Sequence, residues 1–187
     1  IEYCHSTIKP IRLGNLIGNK FTIKITNIEK NGSNTGKKIN ELKDGFPNYF
    51  GIQRFGAVRP ITHLIGEKII EGDYEGAVWK YLCDGNEKFA GFEARQKLDD
   101  TRNLETALKE YPRSMLFERQ MIGYLSRKKD DYIGALRQLP ENLSKMFVHA
   151  YQSSIFNQTV DMRLKMGEKL HVPLIGDNVI PIDNYGG

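Results

Sequence analysis

The sequence predicts an α+β fold, and three observations carry that prediction. Residues 9–28 alternate apolar and polar side chains, the period of a strand with one buried and one wet face. From Pro60 to about Met166 apolar residues recur at intervals of three and four, the period of amphipathic helices. After Gly167 the chain returns to β character over 172–182, with Gly176-Asp177 as a turn.

In the first β-like stretch Ile11 and Leu13 alternate with polar residues, and Gly14-Asn15 and Gly18-Asn19 punctuate. Phe21, Ile23 and Ile25 then alternate with Lys20, Thr22, Lys24 and Thr26. Residues 31–36 read as a loop and 37–43 as a short helix. Gly45 to Gly56 packs four aromatics, three glycines, Asn48, Gln53 and Arg54 into twelve residues. It fits neither period well and reads as a loop-strand segment whose backbone approaches something closely.

The helical stretch opens on an Ile61, Leu64, Ile65, Ile69 stripe. Tyr74, Ala77, Val78, Tyr81 and Leu82 follow, with Asp73 at the N-cap. Further helices are expected at about 87–98, 103–111, 114–126, 131–139 and 141–166. The last carries Leu143, Phe147, Ala150, Tyr151, Ser154, Ile155, Gln158 and Met162 near one face. A cap, an apolar residue and a small-apolar pair recur at Ala77, Ala107 and Ala135. Helical-pair repeats give such spacing; so do small residues recurring wherever helices cross closely.

Composition narrows the function. The 187 residues are 40% hydrophobic and 27% charged, enough to bury a core. No apolar run is long enough to span a bilayer. Cys4 and Cys83 lack CxxC spacing, and His5, His63, His149 and His171 are scattered, which argues against a disulfide framework or a metal site. A reducing, cytoplasmic compartment fits. Residues 1–60 hold ten Lys or Arg against four acids, net +6, and the other 127 residues carry −2 of the overall +4. A basic third joined to a near-neutral remainder implies one anion-facing surface or a solvated lysine-rich face.

Two segments carry the chemistry. Reading an unstacked base takes a flat apolar surface, amides for the base edge and a cation for phosphate. Asn48, Tyr49, Phe50, Gln53, Arg54 and Phe55 supply all three. The plain alternative is a core loop with its rings inward and Arg54 on a carboxylate. The two Gly-Asn pairs beside Arg12 and Lys20 make either a phosphate-holding turn or an ordinary hairpin. Ser153-Ser154 lies in a long helix rather than on an elbow turn, and Asp99-Asp100 and Asp130-Asp131 read as caps and turns. No residue of the chain is nominated as catalytic.

Residues 12–21 (RLGNLIGNKF), followed by 47–56 (PNYFGIQRFG), closely resemble the tRNA pseudouridine synthase D (TruD) family. Residues 150–158 (AYQSSIFNQ) are similar to its helix motif, and Gly176-Asp177 to its following Gly-Asp. The resemblance implies a partial mixed β-sheet catalytic core, residues 1–70, and a mainly helical inserted domain, residues 71–187. It implies conversion of a tRNA uridine, characteristically at position thirteen, to pseudouridine without a cofactor. An aspartate attacks the flipped nucleotide, and the detached base turns and rejoins through carbon five. Asn48 matches the substrate-contacting asparagine, with Phe50 beside it in the pocket wall; Arg12 and Asn19 match the other loop motif near the site. The nucleophile belongs to a Gly-x-Lys-Asp-like motif expected upstream of Ile1, and a pocket phenylalanine is expected beyond Gly187. The chain by itself is therefore expected to be inactive, with tRNA as partner and no membrane association. A helical-repeat interaction module and a non-catalytic RNA-binding protein are the alternatives.

Overall fold

The computed structural model describes residues 46–85 and 91–177, together with 20–22, 24, 26, 36, 37 and 40. The chain divides into two compact units, one of Ile1–Phe46 with His171–Gly187 and one of Pro47–Leu170.

The second unit is built of helices: α1 (Ile52–Phe55), α2 (Thr62–Glu71), α3 (Tyr74–Cys83), α4 (Phe92–Thr101), α5 (Leu104–Glu110), α6 (Leu116–Leu125), α7 (Tyr132–Leu136) and α8 (Glu141–Lys165). Between α1 and α8 they form three helical hairpins, α2–α3, α4–α5 and α6–α7. The second helix of each is capped in the same way. The Asp73 side chain accepts from Gly76 N–H at 2.8 Å, Asn103 from Thr106 N–H at 3.0 Å, and Asp131 from Gly134 N–H at 2.8 Å. Each cap satisfies one of the amides that a helix start leaves unpaired. One turn later each hairpin buries the recurrent alanine, Ala77, Ala107 and Ala135, none more than 3% exposed. The recurrence in the sequence is thus a recurrence of capped hairpins.

The residue before each cap is left-handed: Gly72 (φ 80°), Arg102 (φ 53°) and Asp130 (φ 64°). Glycine takes this conformation freely, whereas another residue is strained by about 1 kcal/mol or more.

The hairpins enclose a core of Ile65, Val78, Leu82, Leu98, Met121, Ile122 and Leu125, each at most 2% exposed. Full burial of one such side chain is worth about 1.5–3 kcal/mol. The C-terminal end of α3 lies inside this core, and its carbonyls are satisfied by side chains. Arg95 donates to Tyr81 O at 2.8 Å and Leu82 O at 2.6 Å, Tyr111 Oη–H donates to Leu82 O at 2.8 Å, and Arg59 donates to Tyr81 O at 3.1 Å and Asp84 O at 2.9 Å. Burial, and the neighbouring Arg95 charge after it, hold the Arg59 pKa below its usual value. Burial pushes the Tyr81 hydroxyl up to about 12.

The longest helix, α8, packs along α2. The close crossing is possible because position 66 is glycine: a Cβ there would collide with the Phe147 carbonyl and meet Tyr151 Cβ at 3.1 Å. Phe147, Ala150, Ser153 and Val160 form the buried side of α8. The face expected from periodicity is correct through residue 150. Beyond it Ile155 (47%) and Met162 (62%) are exposed.

The α+β prediction, with its mixed sheet, is corrected: the described residues are helical and none lies in a strand. A period of two makes a strand only where an edge is present to pair with. Lys20, Phe21, Thr22, Lys24 and Thr26 are exposed, Phe21 to 77%, and carry no ladder; Ile11, Leu13, Ile23 and Ile25 lie outside the described residues. At the other end the turn expected at Gly176-Asp177 is present, because Leu174 N–H donates to the Asp177 side chain at 2.8 Å and Asp177 N–H to Leu174 O at 3.0 Å. Residues 172–177 around it are exposed and carry no strand; residues 178–182 lie outside the described ones.

His63 joins α1 to α2 through an edge-on contact with Phe55, ring centroids 4.9 Å apart. Its Nδ1 is buried without a hydrogen-bond partner among the described residues. Burial is the main cause that holds its pKa below the ordinary 6.5; Glu67 opposes and Lys80 adds to the depression. The unfolded chain therefore takes up a proton near pH 6.5 that the folded chain refuses. Stability is lost as pH falls below 6.5, until the folded-state pKa is passed. We expect His63→Gln to reduce the fall in Tm between about pH 7.5 and pH 5.5; an identical fall in variant and parent would exclude this assignment.

Candidate nucleic-acid interface

The segment from Pro47 to Gly56 is too short to bury a face of its own and is fixed by α8. Phe50 N–H donates to Asn157 Oδ1 at 2.9 Å, and Asn157 Nδ2–H donates back to Phe50 O at 3.0 Å. One side-chain amide thus exchanges both bonds with one residue's backbone, as a hydrogen-bonded pair does in an antiparallel ladder. One turn earlier on α8, Arg54 Nε–H donates to Ser153 Oγ at 3.0 Å, and Ser153 Oγ–H donates to His149 O at 2.8 Å. One turn later, Tyr49 Oη–H donates to Asp161 Oδ1 at 3.3 Å, and Lys165 pairs with Asp161 at 2.9 Å. The polar partners are therefore His149, Ser153, Asn157, Asp161 and Lys165, each four residues after the last, one stripe of a helix.

Aromatic rings cover the joint. Phe50 meets Phe156 edge to face at 5.5 Å, and the Arg54 guanidinium lies 5.7 Å from the Phe50 ring centre. Tyr49 and Phe50 nonetheless remain 41% and 43% exposed, so each presents a ring to solvent. Hydrogen bonding from Lys165 is the first cause that lowers the Asp161 pKa, with its charge and Tyr49 adding to it. The Tyr49 hydroxyl is raised, first by burial and then by Asp161. The carboxylate is thereby held ionised as an anchor for the loop.

Of the residues predicted from sequence, Asn48, Tyr49, Phe50, Gln53 and Arg54 fall on one short stretch; Asn48 and Gln53 are exposed and Arg54 is half-buried. Residues 52–55 form one turn of helix rather than a strand. The core-loop alternative is not what is found, since Arg54 is held by a hydroxyl and a ring rather than by an acid. Lys20 is exposed and belongs to the other unit. Arg12 and Asn19 lie outside the described residues. Sequence reasoning placed Ser153 and Asn157 only within the 150–158 helix motif, without a role, and did not name Asp161, although their four-residue spacing was a signal that could have found them.

The joint unites two strings about a hundred residues apart, 47–56 and 150–158. The sequence model of tRNA pseudouridine synthase D (TruD) matches residues 1–186. The chain belongs to this family. A TruD relative named "Probable tRNA pseudouridine synthase D" from Picrophilus torridus is 44% identical over 178 residues, which cover 94% of this chain and 42% of the relative. Another of the same name, from Thermoplasma volcanium, is 45% identical over 175 residues, 94% of this chain and 42% of the relative. A solved structure described as a TruD from Methanosarcina mazei is 41% identical with a TM-score of 0.72, covering 76% of this chain and 34% of that one. The chain thus spans about two fifths of the length of the curated TruD relatives it matches. Among the described residues no helix is long and apolar enough to cross a membrane.

Proposed function

We propose that the full-length protein is a cytoplasmic tRNA pseudouridine synthase, an isomerase that needs no cofactor, and that Asn48–Arg54 forms part of the wall receiving the flipped uridine. The observation that supports it most is the Asn157–Phe50 clasp, which holds the backbone beside Asn48 while leaving the Tyr49 and Phe50 rings half open. Stacking of a base on one such ring is worth roughly 1–3 kcal/mol. The Asn48 amide offers a donor and an acceptor to the base edge. Arg54, fixed by Ser153, keeps its charge close to the stacked base. In this reading Arg12, Asn19 and Lys20 also contribute to RNA binding, residues 1–70 contribute to the catalytic core and 71–187 form the insert. The aspartate nucleophile is not assigned to any residue of this chain, since none of its aspartates sits in a Gly-x-Lys-Asp-like motif. Position thirteen is the uridine expected.

Mass spectrometry of tRNA from cells lacking the full gene is expected to show loss of one pseudouridine, restored by the full-length gene. An unchanged modification profile would end this reading.

A further inference from the structure

The hairpins enclose a groove of ≈ 500 Å³ far along the chain from the clasp, and its lining includes Glu75, Trp79, Arg102, Lys129, Asp130 and Tyr132. Trp79 is the chain's sole tryptophan. The Arg102 guanidinium covers its ring at 4.4 Å from the centre and is steadied by Asp99 at 2.8 Å. Tyr132 meets Trp79 edge-on at 6.5 Å. Glu75 Oε1 accepts from Trp79 Nε1–H at 3.3 Å and from Tyr132 Oη–H at 3.0 Å. Its Oε2 accepts no hydrogen bond from the described residues.

The hairpin turns make this groove unlike a packing defect. Where the first turn uses Gly72, the second and third use Arg102 and Asp130 in the same left-handed conformation. They are the two non-glycine residues with positive φ among the described residues, and both line the groove. Glycine would relieve each turn, so the strain points to a use for the side chains. A planar cation already resting on an indole marks that face as a stacking platform, and Arg102 is half exposed; to admit a base it has to leave its Asp99 and Cys83 partners.

We propose that this groove is a second RNA contact, taking one unpaired base of the tRNA between the Trp79 ring and the Arg102 guanidinium. The base edge meets the free oxygen of Glu75, which accepts an N–H donor of the base. Lys129 at the rim takes the neighbouring phosphate. The inference rests on tRNA being the substrate.

The test uses the full-length protein and unmodified tRNA transcript. Arg102→Gly is expected to hold or raise Tm, because the turn is relieved, yet to weaken tRNA binding about tenfold. Trp79→Ala is expected to weaken it at least as much and Trp79→Phe less; Glu75→Gln also weakens it, with Tm reported for each variant. A turn residue with a purely structural role would give the Tm change alone. Parent-like Kd values for Arg102→Gly and Trp79→Ala in a protein that binds tRNA overturn the second contact only, and leave the groove to a cationic side chain of a protein partner. A parent protein that neither binds nor modifies tRNA overturns both readings.

Discussion

Replacing Arg95 by leucine is expected to lower the unfolding free energy by about 3–5 kcal/mol. Arg95 is 5% exposed, and its guanidinium serves three acceptors at once: the Tyr81 and Leu82 carbonyls at the end of α3 and the Glu118 carboxylate at 2.6 Å. Leucine has room but no donor. The Glu118 side chain, 13% exposed, would then stay in the interior as an unpaired charge, which costs more than the original pair contributes. Tyr111 and Arg59 would keep their bonds to Leu82 O and Tyr81 O, so α3 would fray rather than melt. Glu118→Leu added to Arg95→Leu is expected to recover part of the loss, because the stranded carboxylate is gone while each carbonyl is still without its Arg95 bond. Urea unfolding of the parent, both single variants and the double variant gives the coupling directly. Additive losses would show that the two residues act independently.

Much of the helical fold was legible because helices announce themselves locally. Asp73, Asn103 and Asp131 mark starts, and the stripes through Ile65, Val78 and Leu82 mark a buried face. Strands are not local in this sense. Phe21 alternates with lysines as a strand residue would, yet what decides a strand is a partner edge, which no window of sequence contains. The interface was half legible for the same reason. Composition alone singled out 45–56, since so many rings and amides in twelve residues have few plain uses. What holds that loop lies about a hundred residues on, where Ser153, Asn157 and Asp161 look like ordinary polar residues of a long helix. Only the fold brings them under Arg54, Phe50 and Tyr49. Arg102 was less legible still, because nothing in a sequence reveals a left-handed φ at an arginine.

Asn157→Ala is expected to lower kcat/KM of the full-length protein on tRNA by about a hundredfold, the scale of a 1 Å misplacement of reacting groups. The fold itself should change little. The two lost bonds, at 2.9 and 3.0 Å, lie at an exposed site, where each is worth about 1 kcal/mol and water replaces part of it. The loop would still be tied at Arg54 and Tyr49, so it would stay near α8 but lose the register that aims Asn48. Asn157→Asp distinguishes register from mere attachment. An aspartate still accepts from Phe50 N–H but sets a carboxylate against Phe50 O, so it keeps one bond and repels at the other. Its activity is expected to fall between those of the parent and the alanine variant, at similar Tm. Should Asn157→Ala retain parent-like kcat/KM, the loop does not need the clasp, and the placement of the uridine against Asn48 and Phe50 loses its support.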